Sequence, residues 1–278
     1  MNKPIIAIMY DFDKTLAETD MQNFSFIPKL RLSVPEFWNK TEKVRKDYDM
    51  DKILSYMYTM IVECKKQNIK LTREYLNECG NNINYYNGVL TWFDRINNFA
   101  EENGVIIEHY IISSGNIEII EKCSLAKNFK KMFACEFIYD KSGQAVWPKT
   151  IVNYTLKTQF IYRIQKGLIK DNDDGAINEK MKNKRIPFSN MIYVGDGLTD
   201  VPSMIMVKEN GGTSIAVYPN NQRDKVNSLF EDDRVNFICK ADYSKDSEIE
   251  KIIKLIIQTI KIKSTLEKKV EKVRKQIW

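Results

Sequence analysis

Two carboxylates at the end of a short apolar run are the first feature of the sequence that could do chemistry. In the stretch "IIAIMYDFDKT", Asp11 and Asp13 directly follow the apolar residues 5–10 and are separated by one residue. Carboxylates at such a position can bind a hard cation, act as nucleophiles or transfer protons. A strand that reaches the surface and stops at a polar loop has the same pattern, so these two residues alone leave both interpretations open.

Two further apolar segments also run into polar clusters. "VIIEHYIISSGN" ends near Ser113 and Ser114, and "MIYVGDGLTD" leads into Asp196 and Asp200. Short apolar runs of this kind predict buried parallel strands. Ligands bind at the carboxyl ends of the strands in such sheets, so we expect these polar residues to converge on one crevice.

The order of the remaining segments predicts the fold class. Helical patterns such as "VLTWFDRINNFAEENG" and "TLKTQFIYRIQKGLI" alternate with the strands, "FACEFIYDKSGQAVW" resembles a strand or hairpin, and "TSIAVYP" and "VNFICKADY" add two short strands. The alternation predicts an α/β fold, a Rossmann-like three-layer arrangement with helices on both faces of a mostly parallel sheet. Residues 171–185 are expected to form a solvated insertion.

One long block of the chain breaks this alternation. Residues 17–86 have helical patterning and no convincing strand, which predicts a helical insert. The domain organisation is therefore predicted as a core of residues 1–16 and 87–244, the insert of residues 17–86, and a basic amphipathic C-terminal helix of residues 245–278.

Four motifs together resemble the haloacid dehalogenase superfamily, and within it the phosphatases similar to phosphoserine phosphatase. They are "DFDKT" at residues 11–15, "IISSG" at 111–115, the lysine near the start of a helix in "TLKTQF", and "GDGLTD" at 195–200. Each motif alone is common, so the resemblance rests on their order and on the elements that carry them. It implies a Rossmann-like catalytic core with a helical cap inserted over the active site.

The resemblance implies a role for each motif residue. Asp11 would attack phosphorus and form an aspartyl-phosphate, and Asp13 would protonate the leaving alcohol and later deprotonate water. Ser113 would donate a hydrogen bond to a phosphate oxygen, and Lys157 would neutralise charge on the nucleophile and the phosphoryl group. Asp200 would act on a metal-bound water or on the lysine.

A carboxylate nucleophile that faces a phosphate requires a cation. Magnesium is the expected ion, bound by the Asp11 carboxylate, the Asp13 backbone carbonyl and the Asp196 carboxylate. The predicted function is a magnesium-dependent phosphatase acting on a small-molecule phosphomonoester. Phosphotransfer to an alcohol at the same site, and a binding or regulatory protein without turnover, are the alternatives.

Residues near the phosphate and residues of the cap are both expected to contact the substrate. The predicted set is Thr15, Asp20, Ser114 and Gly115. Asp20 lies nine residues after Asp11, the offset at which phosphoserine phosphatases carry an acidic residue facing the substrate amine. Gln22 and Arg31 are further candidates, and the segment after Asp20 does not resemble the cap of an ordinary phosphoserine phosphatase.

Some of these assignments have structural alternatives. Ser113 and Ser114 could instead cap the following helix. Three other lysines compete with Lys157, namely Lys149, Lys166 and Lys170. His109 has no cysteine or carboxylate at ligand spacing, which favours a structural histidine.

Composition limits the partners and the location. From Lys245 onward, ten Lys or Arg against five Asp or Glu give +5 of the net charge of +6, so the body is nearly neutral and nucleic acid is an unlikely partner. Five cysteines without a CxxC pair favour a reduced, cytoplasmic protein. No apolar run is long enough to span a bilayer or resembles a signal peptide.

The C-terminal segment has three possible roles. Its apolar residues at helical spacing, with interspersed lysines, fit a helix packed on the core with a solvated extension, a helix for homo-oligomerisation, or a basic amphipathic surface for membrane or nucleic acid.

Overall fold

The apolar run before Asp11 forms the central strand of a seven-stranded sheet in the computed structural model, which describes residues 3–170, 175–181 and 184–277. The strands are β1 (Ile5–Tyr10), β2 (Ile106–Asn116), β3 (Lys131–Tyr139), β4 (Ala145–Thr150), β5 (Met191–Gly195), β6 (Thr213–Tyr218) and β7 (Phe237–Lys240). Their order across the sheet is β4-β3-β2-β1-β5-β6-β7. Every neighbouring pair is parallel except β3 and β4.

Eleven α-helices accompany these strands in the described residues. They are α1 (Met21–Phe24), α2 (Phe26–Lys29), α3 (Val34–Asp47), α4 (Lys52–Lys66), α5 (Arg73–Cys79), α6 (Val89–Glu102), α7 (Ile117–Ile120), α8 (Leu156–Lys166), α9 (Val201–Glu209), α10 (Asp224–Glu231) and α11 (Glu248–Ile277). The predicted α/β fold class with a mostly parallel sheet is confirmed.

The position of β1 explains why its sequence is apolar throughout. Residues Ile6 to Tyr10 have no exposed surface, because β2 and β5 flank the strand in parallel and both of its faces are covered. A strand buried on both faces has no reason to alternate polar and apolar residues. Asp11 is therefore delivered from the middle of the sheet to its carboxyl edge.

The end of β2 differs from the sequence-based prediction. Ser113 was expected directly after the strand, but β2 continues through Asn116, with a shift of its pairing to β3 between Ile112 and Asn116. Such an irregularity turns side chains away from the regular alternation. The polar residues Ser113 and Ser114 thus lie in an irregular strand end rather than in a helix cap.

The predicted hairpin is present at one edge of the sheet. β3 and β4 pair in antiparallel fashion, and the turn between them is held by Asp140, whose carboxylate accepts from the backbone N–H groups of Ser142 and Gln144 at 2.8 and 3.0 Å. Gly143 adopts a φ of 79°, which a glycine reaches without steric cost.

Five helices, α1 to α5, occupy the predicted insert between β1 and α6. α3 begins with a capping box in which Ser33 and Glu36 bond each other's backbone N–H groups, and Asp51 caps α4. The insert reaches the strand ends, because the Tyr56 hydroxyl of α4 donates to the Ser114 carbonyl at 2.8 Å. The domain boundaries at residues 17 and 86 stay a prediction.

The C-terminal helix α11 has two dissimilar halves. Ile249, Ile253, Ile257 and Ile260 are buried against the core, whereas Leu266, Val270 and Val273 are exposed. None of the described helices combines the length and apolar character that a membrane span requires. Within the predicted insertion at 171–185, residues 171–174 and 182–183 lie outside the described residues, and Ala176–Asn178 form a short 3-10 helix.

Candidate active site

Asp11 is the first residue after β1, and the sheet fixes its backbone. Its N–H donates to the carbonyl of Val194 in β5 at 2.9 Å, and only 5% of the residue is exposed. Burial raises the pKa of Asp11 to about 6, although the ammonium of Lys157 acts to lower it. The carboxylate is therefore held at a strand end in a poorly solvated position.

Lys157 bridges two aspartates at the centre of the site. It is the second residue of α8 and is fully buried. Its Nζ donates to Asp11 Oδ1 at 2.9 Å and to Asp200 Oδ1 at 2.7 Å. Burial acts to lower the pKa of Lys157, but the Asp11 and Asp200 carboxylates outweigh it and raise this pKa well above its ordinary value.

Two of the competing lysines bond elsewhere. Lys149 pairs with Glu136 at 2.8 Å, and Lys166 donates to backbone carbonyls in the segment after α8, among them that of Glu179 at 2.8 Å. Lys170 is exposed. Lys157 thus occupies the place that the sequence assigned to the charge-neutralising lysine.

Asp200 is held by more than the lysine. The Tyr193 hydroxyl of β5 donates to Asp200 Oδ1 at 2.7 Å, and a Cβ on Gly195 would lie only 2.5 Å from Asp200 Oδ2. The tyrosine was not predicted; its only sequence signal is its place in the strand that leads to the "GDG" motif. Glycine at 195 lets the Asp200 carboxylate approach the strand closely.

Asp11 and Asp200 contact Lys157. Together with the nearby Asp13 and Asp196, these three residues form what we call the aspartate cluster. Carboxylate oxygens of Asp11, Asp196 and Asp200 all lie within 4.8 Å of one another. Burial, then the negative charges of Asp11 and Asp200, raise the pKa of Asp196 well above its ordinary value. Four carboxylates against one ammonium leave a deficit of positive charge.

The donor set fits a hard divalent cation. Carboxylates at this spacing are ligands that Mg²⁺ prefers, and Asp200 Oδ2 is buried with no hydrogen-bond partner among the described residues. The predicted metal set used the Asp13 carbonyl instead of Asp200. Asp200 also contacts Lys157, and its action on the lysine or on a metal-bound water stays a prediction.

The Asp13 side chain turns toward the insert. Its Oδ1 accepts from the backbone N–H of Met21, at the start of α1, at 2.8 Å. Burial, then the neighbouring carboxylates of Asp20 and Asp11, raise the pKa of Asp13 well above its ordinary value. The first short helix of the insert therefore positions this carboxyl group, which is biased toward its protonated form.

The predicted phosphate-contacting residues lie around the same strand ends. The Ser113 hydroxyl is buried and accepts from the Gly115 N–H at 3.0 Å, which leaves its own proton to be donated. The hydroxyls of Thr15 and Ser114 are buried without a hydrogen-bond partner among the described residues. A Cβ on Gly115 would lie 2.0 Å from Met21, so glycine permits the contact between β2 and the insert.

A cavity of about 510 Å³ opens between the aspartate cluster and the insert. Asp11, Asp13 and Asp196 lie on one wall and residues of α3 and α4 on the other. Asp20 lines the cavity, but its carboxylate is paired with the Lys14 ammonium at 2.7 Å.

Sequence reasoning missed most of the insert wall. Trp38, Arg45 and Tyr56 of the insert line the cavity, as does Tyr154 from the loop before α8. Only the helical pattern of α3 and α4 signalled that one face of these helices turns inward. The candidate Gln22 also lines the cavity and donates to Asn116 Oδ1 at 2.9 Å. The candidate Arg31 is exposed and is not among the lining residues.

His109 lies in β2 away from the cavity, inside a hydrogen-bonded chain. The Trp92 indole N–H donates to the Tyr10 hydroxyl at 2.8 Å, and this hydroxyl is hydrogen-bonded to His109 Nδ1 at 3.2 Å. His109 Nε2 then donates to Asn97 Oδ1 at 3.1 Å. Burial lowers the pKa of His109 to about 3, as expected of a structural histidine.

Comparisons with known proteins agree with this geometry. Residues 6–215 match the protein family described as "Putative Phosphatase", and the chain belongs to this family. It is 29% identical over 276 residues to an uncharacterized protein of Borreliella burgdorferi, a match that covers 88% of this chain and 94% of the relative.

Solved structures show the same fold at low sequence identity. A haloacid dehalogenase family hydrolase of Salmonella enterica serovar Typhi gives a TM-score of 0.57 at 16% identity, over 85% of this chain and 67% of that one. A phosphoserine phosphatase, solved as an analogue of its phospho-aspartyl intermediate, gives 0.53 at 15% identity, over 91% and 99%. The family match confirms the predicted phosphatase class, and the solved structures show the fold that the resemblance implied.

Proposed function

We propose that the protein is a magnesium-dependent phosphatase that hydrolyses a small-molecule phosphomonoester through an aspartyl-phosphate on Asp11. The observation that carries the proposal is the buried bridge of Lys157 between Asp11 and Asp200, at 2.9 and 2.7 Å. A buried lysine between two carboxylates at the edge of a parallel sheet is suited to stabilise charge that develops on a transferring phosphoryl group.

In the first step, an Asp11 carboxylate oxygen bonds to phosphorus as the bond from phosphorus to the leaving oxygen breaks. Lys157 favours the ionised form of Asp11, which burial would otherwise disfavour. Asp13, whose pKa is raised, gives its proton to the leaving alcohol oxygen. Asp200 and Tyr193 hold the lysine in place.

In the second step, a water oxygen bonds to phosphorus, Asp13 takes a proton from that water, and the bond from Asp11 to phosphorus breaks. Thr15, Ser113 and Ser114 would donate hydroxyl protons to the phosphate oxygens. This role is supported by the hydroxyls of Thr15 and Ser114, which have no hydrogen-bond partner among the described residues. The proposed magnesium ligands are Asp11, the Asp13 carbonyl and Asp196. Bound there, the ion would supply the positive charge that lets two anions approach each other.

The cap and the location complete the proposal. We assign residues 17–86 to a cap that excludes water from the phosphoenzyme. A reducing compartment such as the cytoplasm is supported by the five cysteines, all of them within the described residues and unpaired.

Substitution of the nucleophile tests the proposal. Asp11→Asn should lower magnesium-dependent hydrolysis of p-nitrophenyl phosphate by at least about 1,000-fold, because the amide cannot form the phosphoenzyme. Asp94→Asn, at an exposed position of α6, is the matched control and should retain activity. Chelation of divalent cations with EDTA should abolish the activity, and added Mg²⁺ should restore it. Unchanged activity of Asp11→Asn would show that the mechanism is wrong.

A further inference from the structure

Lys14 is an unusual residue for its backbone position. Its φ is 59°, a left-handed conformation that glycine adopts freely and residues with a Cβ seldom adopt. The turn is fixed by the N–H groups of Leu16 and Ala17, which both donate to the Phe12 carbonyl at 3.0 Å. The turn places the lysine side chain at the cavity wall with 45% of it exposed.

The ammonium of Lys14 is held at this wall by one carboxylate. Its Nζ lies 2.8 and 2.7 Å from the two oxygens of Asp20. Asp20 precedes α1 as its N-cap, yet its side chain bonds none of the helix N–H groups. The Asp20 carboxylate is thus committed to Lys14, whereas the ammonium, with three N–H donors, retains capacity for a further anion.

The charged residues that line the cavity outside the aspartate cluster carry a surplus of positive charge. Apart from the aspartate cluster, the charged lining residues are Lys14, Arg45 and Lys52 against Asp20 and Glu42. Arg45 is bonded by Glu42 through both of its side-chain oxygens, at 2.8 and 2.7 Å. Outside the aspartate cluster, three cations against two carboxylates favour an anion in this part of the cavity.

We propose that Lys14 is a specificity-determining residue that binds a second anionic group, a carboxylate or phosphate, on the leaving-group side of the substrate. Asp20 keeps the ammonium aimed into the cavity, so it does not itself receive a substrate amine. This inference rests on the proposed phosphatase function and narrows its substrate class to phosphomonoesters with an anionic leaving group.

Three probe substrates separate this inference from the proposed function. p-Nitrophenyl phosphate carries no charge outside its phosphate group, 2-phosphoglycolate also carries a carboxylate, and O-phosphoethanolamine also carries an ammonium. The wild-type protein should show a kcat/KM for 2-phosphoglycolate at least about fivefold above that for O-phosphoethanolamine, as expected of one ion contact at a half-exposed site. The opposite preference would overturn the inference and indicate that Asp20 selects an amine.

Variants of Lys14 assign the preference to this residue. Lys14→Met keeps a Cβ at the same backbone position and should raise KM for 2-phosphoglycolate about fivefold, with kcat and the hydrolysis of p-nitrophenyl phosphate little changed. Lys14→Arg should restore the preference. Lys149→Met, which removes an ion-paired lysine of similar exposure at the β4 edge, is the control.

Each failure has a distinct meaning. Hydrolysis of p-nitrophenyl phosphate with no charge preference, or a preference that survives in Lys14→Met, overturns the role of Lys14 and leaves the phosphatase intact. No hydrolysis of any probe in the presence of Mg²⁺ overturns the proposed function and this inference with it.

Discussion

Two clusters of charged side chains lie at opposite ends of neighbouring strands and have opposite charge balances. The aspartate cluster follows the carboxyl end of β1. The second, which we call the Glu108 cluster, lies near the amino end of β2 and consists of Glu108, Lys130, Arg185 and Tyr110. The first has four carboxylates and one ammonium, whereas the second has one carboxylate and two cations.

The pKa values follow this balance. Burial acts to raise the pKa of Glu108, but hydrogen bonds from Arg185, Lys130 and Tyr110 outweigh it and lower the pKa to about 2. Arg185 donates to Glu108 at 2.6 Å, and so does the Tyr110 hydroxyl. In the aspartate cluster the pKa values of three carboxyl groups are raised instead. The carboxylate of the Glu108 cluster is fully neutralised, so this cluster stabilises the fold. The carboxylates of the aspartate cluster are not, so this cluster can bind an additional cation and take part in a reaction.

Removal of Lys157, the lysine of the aspartate cluster, should have the largest effect on stability and activity. Lys157→Met leaves buried carboxylates without their cation, which should lower the free energy of unfolding by about 3–5 kcal/mol and abolish phosphatase activity. Urea unfolding of the metal-free protein measures the first effect. Mg²⁺ should restore part of the stability and none of the activity. An unfolding midpoint equal to that of the wild type would contradict the idea that the cluster depends on this charge.

Neutralisation of Glu108 should have a smaller effect, on stability alone. Glu108→Gln should lower the free energy of unfolding at pH 7 by about 1–2 kcal/mol, because the cations are partly solvated and bond the amide less strongly. Activity per folded molecule should stay unchanged, since Glu108 lies at the other end of the strand.

The pH dependence gives this prediction its sign. The carboxyl group of Glu108 has a lower pKa when folded than when unfolded, so its contribution is complete above its ordinary pKa and is lost as the pH falls toward about 2. The difference in stability between wild type and Glu108→Gln should therefore shrink as the pH is lowered from about 5 to 2. A difference that grows in acid would contradict the assignment.

His109, beside Glu108 in β2, offers the most delicate test. Its folded pKa of about 3 lies below the ordinary value near 6.5. As the pH falls, the unfolded chain therefore binds a proton at this histidine before the folded protein does. This difference lowers the free energy of unfolding between about pH 6.5 and 3. It is the single histidine of the chain, so its ring signals are easily assigned by NMR. Between pH 7.5 and 5 the folded protein should show no titration of that ring, and a midpoint near 6.5 would contradict the burial.

The strands and the aspartates were predictable because both depend on local sequence. Apolar runs that end in "DFDKT" and "GDGLTD" identify buried strands and the polar residues that follow them. Helix periodicity likewise placed Lys157 at the start of α8. Parallel strands then bring these residues together, so the candidate site follows from order along the chain.

The insert wall was not predictable, because it depends on how α3 and α4 turn toward the sheet. No local pattern distinguishes Arg45, which lines the cavity, from Arg31, which is exposed. The pairing of Lys14 with Asp20 was not predicted either. The spacing between Asp11 and Asp20 does not show whether the Asp20 carboxylate already forms an ion pair with a neighbouring lysine. The contact is formed by the turn after β1 and by the start of α1.

The central place of β1 in the sheet also determines when the site can exist during synthesis. The strand is made first, but its neighbours β2 and β5 begin 101 and 186 residues after Ile5, at Ile106 and Met191. At about 5–20 residues per second, a ribosome needs roughly 10–40 s to reach the end of β5, and until then an apolar strand remains unpaired on one side. The insert helices can form their local contacts before β5 is synthesised, because these contacts join residues that are close in sequence. Catalytic competence should therefore be among the last properties that the nascent chain acquires.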